Sequence, residues 1–191
     1  FEPEIIFESS GTTGQAVSRH ELKSVALYRE SFMRGFELFY GPVSDYCIIG
    51  LLPAYLERKG SSLVFMVDEL IRRSRHPQSG FYLYAFSELH DLLVDLEKKK
   101  QKTLLIGVSF ALLDFAAAFP LELKSALIME TGGMKGRREE LTRSHFQKIV
   151  QQAIVQADFH SEYGMNELLS QAYSKGNGIY QPVHWMKAMI R

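Results

Sequence analysis

The chain has 191 residues, with 22 Lys+Arg against 22 Asp+Glu and 46% hydrophobic residues. That length and balance fit one globular domain, and a net charge of zero argues against DNA, RNA or an anionic membrane as the principal partner. A single cysteine, Cys47, excludes an internal disulfide framework and a cysteine-based zinc site, and it suits a reducing cytosol.

The chain opens with Phe1 rather than Met, and no basic, apolar leader follows. Ile5-Ile6-Phe7 is the first short apolar run and predicts a strand. Directly after it stands Ser9-Ser10-Gly11-Thr12-Thr13-Gly14, which we expect to lead into a helix starting near His20. Glycines let such a loop fold tightly with its N–H groups turned inward, hydroxyls add donors, and a helix N-terminus adds partial positive charge. The pattern suits phosphate, although a plain polar turn has the same composition. It lacks the Gly-Lys-Ser/Thr ending of the Walker loop and the three-glycine dinucleotide spacing.

His20–Phe39 approximates a 3.6-residue apolar repeat through Leu22, Val25, Ala26, Tyr28, Phe32, Phe36 and Phe39. Tyr46–Ile49 predicts a second strand, and Ser62–Arg75 a helix with basic residues at its C-terminal end. Phe81–Phe86 is a further apolar run, here expected as a strand, with Ser87 capping a helix to about Lys100. Leu104–Leu121 is nearly long enough to span a bilayer, but Asp114, Gly107, Ser109 and Pro120 interrupt it. We read it as a buried strand, Leu104–Val108, followed by a helix over Ala111–Phe119, and expect no membrane span.

Ala126–Met129 is the next strand, ending in Glu130-Thr131-Gly132-Gly133, and Thr142 caps a helix to about Ala157. Continuous apolarity in strands that alternate with helices predicts an α/β fold with a mainly parallel sheet flanked by helices. Past the last helix lies Phe159-His160-Ser161-Glu162-Tyr163-Gly164-Met165-Asn166-Glu167. An aromatic beside glycine can stack on a purine, and a carboxylate three residues past that glycine can hold Mg²⁺. In open α/β sheets ligands gather beyond the carboxyl ends of strands, where these segments are expected.

Ser9-Ser10-Gly11-Thr12-Thr13-Gly14 resembles the phosphate loop of the adenylate-forming superfamily of acyl-CoA synthetases, adenylation domains and luciferases. Tyr163-Gly164-Met165-Asn166-Glu167 resembles that superfamily's tyrosine-glycine-x-threonine-glutamate motif, and Gly132-Gly133 falls where it has a paired glycine. Within it, Leu51–Arg58 with Ser61-Ser62-Leu63-Val64, then Met129–Arg138, then Tyr163–Tyr173 are similar to the acyl-protein synthetase (LuxE-type) family.

The resemblance implies the core of the large N-terminal domain of an ATP-dependent enzyme that activates a fatty or other carboxylic acid to an acyl-adenylate. The acyl group would pass to a protein thiol and on to a partner reductase. Ser9 to Gly14 would wrap the β- and γ-phosphates of ATP, while Tyr163 would lie against adenine, with Gly132, Gly133 and Gly164 framing that pocket. Glu167 would bind Mg²⁺, and Asn166 stands where threonine usually touches the α-phosphate. Ala16 and Val17 replace the proline and lysine that often follow the loop, with Arg19 or His20 as substitutes for the charge. Pro53, Tyr55, Leu56 and Phe81–Phe86 are candidates for an acyl-pocket wall, and core packing explains them equally well.

Cys47 lies within an apolar run and suits an inert core thiol better than the acyl acceptor. His90, His145 and His160 show no metal-ligand spacing. The superfamily's ribose-binding aspartate and its small C-terminal lobe with a catalytic lysine find no match before Arg191, so we expect an excised single-domain core with weak or no turnover alone. A phenylacetate-CoA ligase-like enzyme and a nucleotide-binding interaction module without turnover are the alternatives.

Overall fold

The computed structural model describes residues 2–8, 18–52, 60–132, 141–176, 178–187 and 189. The described strands are β1 (Ile5–Glu8), β2 (Arg19–Leu22), β3 (Cys47–Leu51), β4 (Gly80–Phe81), β5 (Thr103–Val108), β6 (Leu121–Glu122), β7 (Ala126–Thr131), β8 (Ile154–Val155), β9 (Asp158–Gly164), β10 (Gln171–Ser174) and β11 (Gln181–Pro182). The helices are α1 (Val25–Tyr40), α2 (Ser62–Ser74), α3 (Phe86–Lys98), α4 (Ser109–Ala118) and α5 (Arg143–Ala153).

The main sheet has seven strands in the order β11-β10-β9-β7-β5-β3-β4. From β4 to β9 all neighbours are parallel, and β10 and β11 turn antiparallel at one edge. Every residue of β3, β5 and β7 is buried, as strands covered on both faces must be. This is the expected α/β architecture.

Side-chain alternation assigns the two faces. Gly50 faces α2, where an added Cβ would stand 3.3 Å from Val67. Gly107, one register over, faces α4. Phe32 of α1 packs on Phe65 of α2, while Phe86 of α3 and Phe115 of α4 meet edge to face across 5.5 Å on the other side. Local chemistry sets the helix limits. Ser24 caps α1 by accepting from the Ala26 N–H, and Gly41, at φ 83°, ends it in a conformation that costs other residues free energy. Ser61 caps α2, Arg72 and Arg73 sit in its last turn, and Thr142 caps α5 by accepting from the His145 N–H.

Four expectations fail. β1 does not join the parallel sheet: it pairs antiparallel with β2, Ile5 opposite Leu22, and packs Phe7 against Tyr28 and Phe65. The helix expected from His20 therefore starts at Val25, because Arg19–Leu22 alternates exposed and buried with the period of a strand. Phe81–Phe86 is a strand only at its first residue. The Ala85 N–H bonds the Tyr82 carbonyl in a turn, and α3 begins at Phe86 without help from Ser87. The Thr142-capped helix ends at Ala153 rather than about Ala157, and Phe159–Gly164, past it, belongs to strand β9.

Gly107 sits where a Cβ would approach Leu51 Cβ to 2.8 Å and Leu112 Cγ to 3.0 Å. Gly107→Ala is expected to lower the unfolding free energy by about 1–3 kcal/mol, read as a lower urea midpoint at unchanged slope.

Candidate nucleotide and acyl site

Parallel pairing carries β3, β5, β7 and β9 to a common rim, where Leu51, Val108, Thr131 and Gly164 end their strands. The chain leaves β3 toward β4 on one side but leaves β5 toward β7 on the other, so the connections diverge at this rim and open a crevice. A pocket of about 150 Å³ lies at the rim. It is lined by Glu8 from β1, Tyr28 from α1, Ser61, Ser62, Leu63 and Met66 at the start of α2, and Thr131 and Gly132 after β7. Glu162, Gly164, Met165, Asn166 and Gln171 complete it from β9, β10 and the turn between them.

Thus Gly132, Gly164 and Asn166 meet in one place. Gly132 has φ 72°, a backbone that favours glycine. The absent side chain of Gly164 leaves room for a neighbour, since a Cβ there would stand 2.7 Å from Glu162 Oε1. The hydroxyl of Ser62 donates to Asn166 Oδ1, which leaves the amide N–H groups of Asn166 to act as donors at the pocket. Tyr163 lies on the opposite face of β9 from Glu162 and is 43% exposed, its ring 6.0 Å from Tyr180. Arg143, at the start of α5, stacks over Tyr180 at 4.9 Å and reaches Glu130 Oε2 at 4.0 Å.

Glu167 is exposed and lies outside the pocket lining, where its Oε1 accepts from Ser18 Oγ at 3.2 Å. Ser9, Ser10, Gly11, Thr12, Thr13 and Gly14 lie outside the described residues, as do Pro53, Tyr55, Leu56, Gly133, Arg137 and Arg138. The flanks of the hydroxyl-rich stretch are described, however. Glu8 lines the pocket and donates its N–H to the Gly60 carbonyl at 2.8 Å, and Ser18 meets Glu167. The segment joins two antiparallel strands, so the helix N-terminus expected behind it is absent. Arg19 is 3.6 Å from Glu8 across that hairpin.

Phe81–Phe86 does not line the pocket. Phe81 covers Gly50 and Phe86 packs on Phe115, so these aromatics are core. Cys47 is fully buried, its thiol pushed up to about 11 by burial, in keeping with an unreactive core residue. His160 hydrogen-bonds the Tyr40 hydroxyl at 3.3 Å, and burial lowers its pKa. Among the described residues no group of three His, Cys, Asp or Glu is arranged to hold a metal.

Glu162 was not picked out by motif. It is 7% exposed, and its Oε2 accepts from Thr131 Oγ1 at 2.5 Å. Burial pushes its carboxyl up to about 7, the Thr131 hydroxyl pulls it down, and the nearby Glu130 charge pushes it up further. Glu130 is itself 5% exposed and accepts from Ser109 Oγ at 2.7 Å on the other face of β7. The only sequence signal was a carboxylate immediately before Tyr163-Gly164, where a solvated turn was the natural reading.

No family model and no curated protein matches this sequence. Solved structures do share its fold. Coronafacic acid ligase from Pectobacterium brasiliense aligns with a TM-score of 0.52 at 11% identity, over 78% of this chain and 28% of that one. O-succinylbenzoate coenzyme A synthetase from Bacillus subtilis, solved in complex with AMP, gives 0.54 at 17% identity, over 90% of this chain and 32% of that one. The luciferase-like enzyme of the nonluminescent mealworm Zophobas morio gives 0.54 at 13% identity, over 90% and 36%. These are adenylate-forming enzymes, and the chain has their fold over about a third of their length.

Glu162 predicts a pH-dependent stability. With its folded pKa raised to about 7, the folded state holds a proton that the unfolded chain releases near 4.5. Its stabilising contribution is therefore complete below about pH 4.5 and is lost as pH rises through 7. Glu162→Gln should gain about 1–3 kcal/mol relative to the parent chain on going from pH 4.5 to pH 8, measured by urea unfolding at each pH.

Proposed function

We propose that this chain is the ATP-binding core of an enzyme that activates a carboxylic acid as an acyl-adenylate. The observation that supports this most is the meeting of distant segments at one rim. The residue before the Ser9–Gly14 stretch lines the pocket that Gly132, Gly164 and Asn166 form, and Ser18, past that stretch, bonds Glu167. The fold shared with adenylate-forming enzymes, one of them holding AMP, points the same way.

In this reading a carboxylate oxygen attacks the α-phosphorus of ATP, the bond to the β-phosphate oxygen breaks, and pyrophosphate leaves. The task is to hold two anions together and to spread the developing charge. Hydroxyls and backbone N–H groups of Ser9–Gly14 would take the β- and γ-phosphates, the amide of Asn166 would donate at the α-phosphate, and Tyr163 would lie against adenine beside Gly132, Gly133 and Gly164. Glu167 fits Mg²⁺ as a single exposed carboxylate beside the hydroxyl-rich stretch, because that ion takes one or two carboxylates and completes its shell with phosphate oxygens and water. Bound there, Mg²⁺ would neutralise charge on the phosphates.

The motif resemblance adds a fatty acyl chain, transfer to a protein thiol, an acyl-reductase partner and a cytoplasmic setting. Among the described residues no helix is long and apolar enough to cross a membrane. Coenzyme A, in the name of one structure of the same fold, is the competing acceptor. Acyl-CoA rather than acyl-protein as product would decide for it.

Carboxylate-dependent pyrophosphate exchange should be measurable with the full-length protein. ATP binding without exchange on any acid would favour a silent nucleotide-binding module. Glu167→Ala should abolish Mg²⁺-dependent ATP binding in calorimetry, and an unchanged Mg²⁺–ATP affinity would remove that carboxylate from the site.

A further inference from the structure

Glu162 has one oxygen partnered and one open. Its Oε2 takes the Thr131 hydroxyl, while Oε1 has no hydrogen-bond partner among the described residues and lies beneath Gly164 in the pocket wall. Oε1 is thus an acceptor open to the pocket on a carboxyl more than nine-tenths buried, available to a donor that a ligand brings.

The surroundings define what that is. Facing Glu162 are Tyr28 and Tyr40 from α1 and Tyr173 from β10, while Glu130 and Tyr180, on the opposite face of the sheet, are near enough to feel its charge. None is a cation, and no described ion pair includes Glu162. Among the described residues the pocket lining holds two carboxylates, Glu8 and Glu162, with no lysine, arginine or histidine. Around them Ser61, Ser62, Thr131, Asn166 and Gln171 offer hydrogen bonds, and Leu63 and Met66 supply an apolar wall.

We propose that this pocket takes an amino-bearing carboxylic acid, whose ammonium group donates to Glu162 Oε1 while its carboxylate is the group activated. The substrate class rests on the activity proposed above. It narrows the fatty acyl expectation, because an unsubstituted chain would press methylenes against Glu162 without supplying the missing donor. An ammonium supplies both the donor and the opposite charge that the buried carboxyl lacks.

The test uses calorimetric binding to this chain in the presence of Mg²⁺ and a non-hydrolysable ATP analogue. The probes are unbranched acids of about four to eight carbons, each compared with its α-, β- and ω-amino counterparts. At pH 8 one amino acid of the panel should bind at least about tenfold more tightly than its unsubstituted partner. That preference should shrink as pH falls through 7 toward 5, where Glu162 takes up a proton and no longer attracts a cation. Glu162→Gln should remove the preference and its pH dependence.

Should Glu162→Gln fold poorly, Thr131→Val gives an independent reading. Losing the one described donor to Glu162 should move the midpoint of the pH profile upward. Equal or tighter binding of the unsubstituted acids beside normal binding of the ATP analogue would overturn this proposal alone, as would a Thr131→Val midpoint that does not move. Amino-acid binding lost in Glu162→Gln, with no binding of the ATP analogue to the parent chain, would uphold the pocket assignment and overturn the adenylation reading instead. Binding of neither class of probe would overturn both.

Discussion

Parallel strands in one continuous ladder must end together. Register in β3, β5, β7 and β9 leaves little freedom: Leu51 stands beside Gly107, Val108 beside Thr131, and Glu130 beside Ser161. The hydrogen-bonded ladder thereby brings residues more than a hundred positions apart to one edge. Everything chemical in this chain follows from that alignment. Among the described residues the connections on either side of β3 and β5 diverge at that edge.

The layer beneath the rim is apolar through the lengths of β3, β5 and β7, and polarity returns only in the last residues. Glu130 and Thr131 close β7, and Ser161 and Glu162 come near the end of β9. Alternation sends Glu130 toward α4 and α5, where Ser109 and Arg143 meet it, and sends Glu162 toward α1 and α2, where tyrosines meet it. Two carboxylates of similar burial thus have different neighbours. Glu130 has a guanidinium 4.0 Å away, whereas no described ion pair includes Glu162, whose described hydrogen bond comes from the Thr131 hydroxyl. Burial at that place raises the Glu162 carboxyl into the neutral range.

How much of this could be read from sequence depended on burial symmetry. Cys47–Leu51, Thr103–Val108 and Ala126–Thr131 are enclosed on both faces, so their apolarity is nearly continuous and legible. β9 buries Phe159, Ser161 and Glu162 while Asp158, Tyr163 and Gly164 are exposed, so its Ser161 and Glu162 look solvated in a linear reading. Arg19–Leu22 was hidden because Leu22, Val25 and Ala26 also satisfy a helical period. Glycine positions such as Gly132 and Gly164 signalled a close approach of backbone, and the structure supplies one cause in the Glu162 oxygen beneath Gly164. The burial of Glu162 itself could not be read locally, because Tyr28 and Tyr40, which cover it, lie more than a hundred residues upstream.

The sheet's two margins carry a consequence for association. One ends in β4, two residues long, and the other in β11, also two residues, where Pro182 lacks an N–H to offer. Among the described residues neither margin presents a long row of free donors and acceptors, so strand-to-strand templating between copies has little to grip at either end. Such short borders disfavour extension of the sheet from one copy of the chain into the next.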